Sequence, residues 1–183
     1  MKLTNKQRIK LIASEIKLNP HNIGKIKIMI KEAHKDEINL NIRCYGGKTL
    51  FHYAVRYNTK GIITTLVKLG ANPNLCDDKF VAPLHYCVLK NSFHAAEELI
   101  KNNADINIPG EFEQTPLHLA VIKGDIELIK LFIKNGADIT LVDEKNQTPI
   151  DYAKDENNPA IVDLLENEMK KLSRKEKIWF QKL

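Results

Sequence analysis

Thr115-Pro116-Leu117-His118-Leu119-Ala120 reads as the opening of a short helix. A hydroxyl stands at the cap, a proline at the first helical position, and apolar residues follow. The same phrase recurs along the chain. Thr49-Leu50-Phe51-His52-Tyr53-Ala54 and Ala82-Pro83-Leu84-His85-Tyr86-Cys87 precede it, and Thr148-Pro149-Ile150-Asp151-Tyr152-Ala153 follows it. His52, His85, His118 and Asp151 are therefore spaced by a constant 33 residues, with no insertion. A fixed period of this length marks an array of stacked supersecondary units rather than one closed globule.

The register extends well beyond the phrase. Asn58, Asn91, Gly124 and Asn157 share one position, and Gly70, Asn103 and Gly136 share another. All are residues that tolerate the left-handed backbone, as a tight turn and a helix end require. Between the two positions lie Ile62, Ile63, Leu66 and Val67, then Ala95, Ala96, Leu99 and Ile100, then Leu128, Ile129, Phe132 and Ile133. Each set places its apolar residues on one helix face. An extended stretch follows: Ala71-Asn72-Pro73-Asn74-Leu75, Ala104-Asp105-Ile106-Asn107-Ile108 and Ala137-Asp138-Ile139-Thr140-Leu141. Each unit is thus predicted to be helix, turn, second helix and hairpin-like loop.

This pattern resembles the ankyrin repeat, strongly over residues 37–169 and weakly over the first 36. The fold class it implies is all-α, a helical repeat solenoid with short β-hairpin loops. The predicted domain spans residues 1–172. A degenerate N-terminal cap repeat occupies about 5–42, and repeats follow at 43–75, 76–108, 109–141 and 142–172. In the cap, Ile9, Ile12, Ala13 and Ile16 form one stripe, broken at Asn19-Pro20-His21-Asn22. Met29, Ile30 and Ala33 fall in register with Ile62, Ile63 and Leu66. At the other end Pro159 opens a helix, and Met169 stands where earlier units have glycine. That helix is expected to run to about Leu172. Caps of this kind close the apolar flanks of an array.

The resemblance gives the motif residues structural roles: Thr49, His52, Pro83, His85, Thr115, Pro116, His118, Thr148 and Pro149. Thr115 and Thr148 cap, Pro116 and Pro149 start helices, and the histidines link the turns of neighbouring repeats. Ala82 lacks the capping hydroxyl, at a cost of about 1 kcal/mol. Leu50 replaces proline and Asp151 replaces histidine. Where the family usually has a glycine at the hairpin tip, Gly47 conforms, Asn146 substitutes fairly, and Phe80 and Glu113 depart.

The resemblance also implies where a partner would bind, on the concave face built from hairpin tips and first helices. The helix positions are Arg56 and Tyr57, Leu89 and Lys90, and Ile122 and Lys123. The tips contribute Tyr45 and Lys48 in the first hairpin and Asp78, Lys79, Phe80 and Val81 in the second. Glu111, Phe112 and Gln114 come from the third, and Lys145 from the fourth. Tyr57, Phe80 and Phe112 are the expected anchors, since aromatic groups dominate interface hot spots.

Composition narrows the remaining choices. No apolar run approaches the ~18 residues of a spanning helix, and charges at Lys2, Lys6 and Arg8 disrupt any signal peptide. Three cysteines, Cys44, Cys76 and Cys87, are too few and odd in number for a disulfide framework and point to a reducing, cytoplasmic setting. Residues 1–36 carry a net +6, residues 37–169 a net −6 and residues 170–183 a net +5. Basic ends on an acidic body leave anionic-surface or nucleic-acid binding as the alternative function. The 63 Lys, Ile and Asn residues resemble the output of an A+T-rich genome and are compatible with an effector-like protein delivered into a host cell.

No catalytic constellation, metal site or cofactor motif is expected. Histidines one repeat apart lie about 8–10 Å from each other, too far to share zinc. The expected protein is a monomeric, non-catalytic interaction module. Leu99…Asp105-Ile106-Asn107 is similar to the acceptor pattern of asparaginyl hydroxylases in ankyrin repeats; the simpler reading is that Asn107 hydrogen-bonds within its loop. The basic, aromatic tail 173–183 could dock on the last repeat, fray, or act as a partner or membrane-surface motif.

Overall fold

The computed structural model describes residues 3–59 and 61–180, with side chains as far as residue 174. Ten α-helices follow one another among the described residues, and no strand is found there. The first pair is α1 (Asn5–Leu18) and α2 (Ile23–Lys35). Next come α3 (Leu50–Arg56) with α4 (Ile62–Lys68), α5 (Pro83–Leu89) with α6 (Phe93–Lys101), and α7 (Pro116–Ile122) with α8 (Ile126–Lys134). The last pair is α9 (Pro149–Asp155) and α10 (Pro159–Phe180). First helices pack in chain order, α1 on α3, α3 on α5, α5 on α7 and α7 on α9. Second helices pack likewise, α2 on α4, α4 on α6 and α6 on α8. The protein is a one-dimensional stack.

The core runs the length of the stack. Ile62, Ile63 and Leu66 of α4, Ala96 and Leu99 of α6, and Leu128, Ile129 and Phe132 of α8 are buried in register, as the helix faces required. Phe51, Leu84, Leu117 and Ile150 enter from the first helices. In the N-terminal cap Ile9, Ile12, Ala13, Ile16, Ile30 and Ala33 are buried, and Met29 is half-buried. α1 has 14 residues, whereas α3, α5, α7 and α9 have seven each.

Left-handed residues punctuate each unit. Asn58, Asn91, Gly124 and Asn157 have φ of 50°, 51°, 69° and 50° between helices. Gly70, Asn103 and Gly136 have φ of 80°, 61° and 91° at helix ends. Glu37, one period before Gly70, adopts the same conformation at φ 58°. The helix-end geometry is therefore imposed by the stack even where the residue is poorly suited to it.

The expected β-hairpins are hairpin-like turns. Each is closed by one backbone bond: Cys44 N to Lys48 O (2.7 Å), Asp77 N to Val81 O (3.0 Å), Gly110 N to Gln114 O (2.9 Å) and Asp143 N to Gln147 O (3.1 Å). One closing bond per loop makes no ladder. α10 continues as far as Phe180, past the expected end at Leu172, because no left-handed residue stops it at Met169. Whether Ile178, Trp179, Phe180 and Leu183 dock is a question that lies outside the described side chains. None of the described helices is long and apolar enough to cross a membrane.

Candidate interaction surface

The site rests on a framework of three buried histidines. The Nδ1 atoms of His52, His85 and His118 accept the backbone N–H of Thr49 (3.0 Å), Ala82 (3.3 Å) and Thr115 (3.1 Å). An Nδ1 that accepts leaves the proton on Nε2, which donates forward to the next hairpin. The acceptors are Val81 O (2.8 Å), Gln114 O (3.0 Å) and Gln147 O (3.1 Å). Each histidine thus clips its own helix start to the following tip. Burial lowers the pKa of all three against the opposing effect of the Nε2 bond, and that of His85 falls to about 4. Both ring nitrogens are engaged, so these groups hold structure. Asp151 accepts from Thr148 N (2.9 Å) and Thr148 Oγ1 (2.6 Å), closing the same cap without a forward clip.

A second framework joins the loops that follow the second helices. Asn41 Oδ1 accepts from Asn72 N (2.8 Å), Asn74 Oδ1 from Asp105 N (2.9 Å), and Asn107 Oδ1 from Asp138 N (2.8 Å). Asn107 is therefore a rung between two repeats through its side chain, and its own N–H also donates within its loop to Asp105 Oδ1 (2.9 Å).

Two carboxylates that sequence reasoning missed organise the tips. Asp77 Oδ1 accepts from Lys79 N (2.9 Å) and Val81 N (3.2 Å), and Asp143 Oδ1 accepts from Lys145 N (2.9 Å) and Gln147 N (3.1 Å). Tyr152 Oη donates to Asp143 Oδ2 at 2.6 Å. Burial works against ionisation of Asp143, but the bonds from Tyr152, Gln147, Lys145 and Gln114 outweigh it and hold the carboxyl at about 2. The two aspartates stand two periods apart, a signal that Cys44 and Gly110 interrupt. Glu98 was also missed. It accepts from Thr64 N (3.0 Å) and Thr64 Oγ1 (2.7 Å), capping α4 from the next repeat.

The candidate contact residues divide into two groups. Lys48, Val81 and Gln114 are engaged within the stack. Lys48 Nζ lies 3.5 Å from Asp77 and 5.9 Å from the centre of the Tyr86 ring; Val81 O receives His52; Gln114 Nε2 donates to Tyr152 Oη at 3.0 Å. Tyr57 and Ile122 are half-buried, and Arg56 covers the Tyr57 ring at 5.8 Å. The others face solvent: Tyr45, Asp78, Lys79, Phe80, Leu89, Lys90, Glu111, Phe112, Lys123 and Lys145.

Phe80 and Phe112 stand out among these. Their exposures are 69% and 56%, at φ of 57° and 58°. The left-handed backbone is one that bulky residues avoid. At Phe112 it turns the carbonyl to accept from Glu144 N (3.1 Å), as Gly46 O accepts from Asp78 N (3.2 Å). Glycine would serve both turns, so the rings are not there for the backbone.

A stack of helix pairs with clipped tips and an aromatic-bearing edge defines a repeat scaffold that presents a surface. The family model for ankyrin repeats, in three copies, matches residues 84–175, and a single ankyrin repeat matches residues 46–78. The chain belongs to the ankyrin repeat family. Comparison with curated proteins gave no match. Ankyrin repeats generally mediate protein–protein interaction and are typically non-catalytic. Among the described residues no group of three His, Cys, Asp or Glu is placed to hold a metal ion.

Proposed function

We propose that this protein is a non-catalytic module that binds a protein partner along the edge formed by its hairpin tips and first helices. One observation carries the reading. Phe80 and Phe112 hold exposed rings at backbone positions where phenylalanine is disfavoured and gives nothing to the core. Leu89 adds an exposed aliphatic group on the adjoining helix. Aromatic anchors surrounded by charged groups are the usual anatomy of a protein interface. A reducing, cytoplasmic setting is supported by three cysteines that form no disulfide with one another.

The test is affinity capture from the source cell with wild type and with Phe80→Ala and Phe112→Ala. Loss of one reproducible partner, with an unchanged melting temperature, supports the reading. Retention of every captured protein by the double variant overturns it.

A further inference from the structure

The N-terminal end of the concave face carries positive charge that no described residue neutralises. Lys6, Lys10 and Lys17 are exposed on α1 and take part in no ion pair among the described residues. The acids nearby are occupied: Glu15 is paired with Lys25 at 2.9 Å and Asp36 with Arg8 at 2.6 Å. A cleft of about 280 Å³ opens between α1 and the first hairpin, lined by Lys10, Ser14, Lys17, Cys44, Tyr45 and Tyr53. Lys6 belongs to the same neighbourhood, since its charge and that of Lys10 reach the Cys44 thiol. Tyr45 is 88% exposed beside the cleft, while Tyr53 is half-buried in it.

The far end of the same face, at the third and fourth hairpin tips and the ends of α7 and α9, is mixed and on balance acidic. Glu111, Glu113, Glu144, Asp155 and Glu156 are exposed there beside Lys123, Lys145 and Lys154. A long polyanion laid along the whole face would meet like charge at that end, whereas a chain acidic at one end only would not. The cleft also holds a few side chains rather than a helical duplex.

We propose that this cleft docks an acidic segment of a protein partner, with carboxylates against Lys6, Lys10 and Lys17 and an apolar side chain between Tyr45 and Tyr53. The proposal rests on the concave-surface reading above and adds to it the chemistry and direction of the partner. The segment lies with its acidic end on the N-terminal cap, and the remainder of the partner continues towards Phe80 and Phe112.

The test measures the anisotropy of a short fluorescent peptide of glutamates flanking one leucine. Wild type binds it, and binding weakens as salt rises. Lys10→Glu with Lys17→Glu lowers affinity about tenfold or more, because like charge now faces the carboxylates. Lys130→Glu with Lys134→Glu, the same change in net charge on exposed positions of α8, leaves affinity unchanged. Tyr45→Ala weakens it, and replacing the leucine by serine does too. Three results overturn the proposal: no binding by wild type, an equal loss in the α8 control, or equally tight, equally Lys10- and Lys17-dependent binding of single-stranded oligoadenylate. The peptide probes the cleft and the capture experiment probes the tips, so failure of the cleft and failure of the tip anchors are read separately.

Discussion

The third and fourth hairpin tips, residues 110–114 and 143–147, occupy the same place in successive repeats and are built differently. The fourth is anchored by a buried carboxylate: Asp143 takes two tip N–H groups and the Tyr152 hydroxyl. It needs one left-handed residue, Asn146, a type that accepts that conformation. The third has Gly110 in place of the aspartate, and a Cβ there would lie 2.7 Å from His85 Nε2. It carries two consecutive left-handed residues, Phe112 and Glu113, and without the carboxylate it rests on the histidine clip that the fourth tip also has, here from His85 to Gln114 O. The helices keep a strict register because each buries a flank against the next. The tips face solvent and are free to exchange internal support for what they display.

Acidification tests that dependence with the largest effect. The His85 pKa is lowered in the folded state, so the unfolded chain takes up protons first as pH falls. Stability is full above about 6.5 and is lost down towards about 4. For His85 alone the loss is on the order of 3 kcal/mol, and His52 and His118 act in the same direction. Urea unfolding at a series of pH values measures it; a flat profile between pH 7 and 4 would remove the clips from the account.

Asp143→Ala should cost about 3 kcal/mol at neutral pH, since the buried donors that converge on it lose their acceptor. Its folded pKa is depressed to about 2, so the wild-type advantage is present above about 3.8 and fades as pH falls through about 2. Glu111→Ala in the third tip, measured by the same unfolding assay, should cost almost nothing. Equal costs would erase the contrast between the tips.

Glu113→Gly should stabilise by about 1 kcal/mol by relieving the left-handed backbone. Asn146→Gly should gain less, and differential scanning calorimetry on the pair sharpens the distinction. Phe112→Ala should leave the melting temperature nearly unchanged, because the ring is more than half exposed. A large drop would make Phe112 a packing residue and remove it from the proposed interface.

Much of this architecture was legible in the sequence because burial repeats. The register of Leu66, Leu99 and Phe132, the clips at His52, His85 and His118, and the turns at Asn58 and Asn91 all reflect one helix pair meeting its copy. What stayed hidden falls into two kinds. Glu37 and Phe112 adopt left-handed backbone where their residue types argue against it and no glycine was expected, whereas Phe80 and Glu113 stand at the tip position where the missing glycine already marked a departure. The anchors Asp77 and Asp143, the Glu98 cap and the rungs at Asn41, Asn74 and Asn107 are polar and local. The rungs even keep the 33-residue period, yet periodicity arguments weigh apolar residues and passed over them. Of the candidate surface, exposed rings at Phe80 and Phe112 were anticipated, while the inward engagement of Lys48 and Gln114 depends on Asp77 and Tyr152 and could not be read from the tips alone.

The rungs give the molecule a mechanical character. Asn41, Asn74 and Asn107 each join one loop only to its successor, and at the last loop Thr140 folds back on Asp138 instead. Tension between the two termini would load these side-chain amides in series, with no hydrogen bond among the described residues spanning the whole length to share the force. The chain would then lengthen as a staircase, one unit peeling after another, rather than in a single rip.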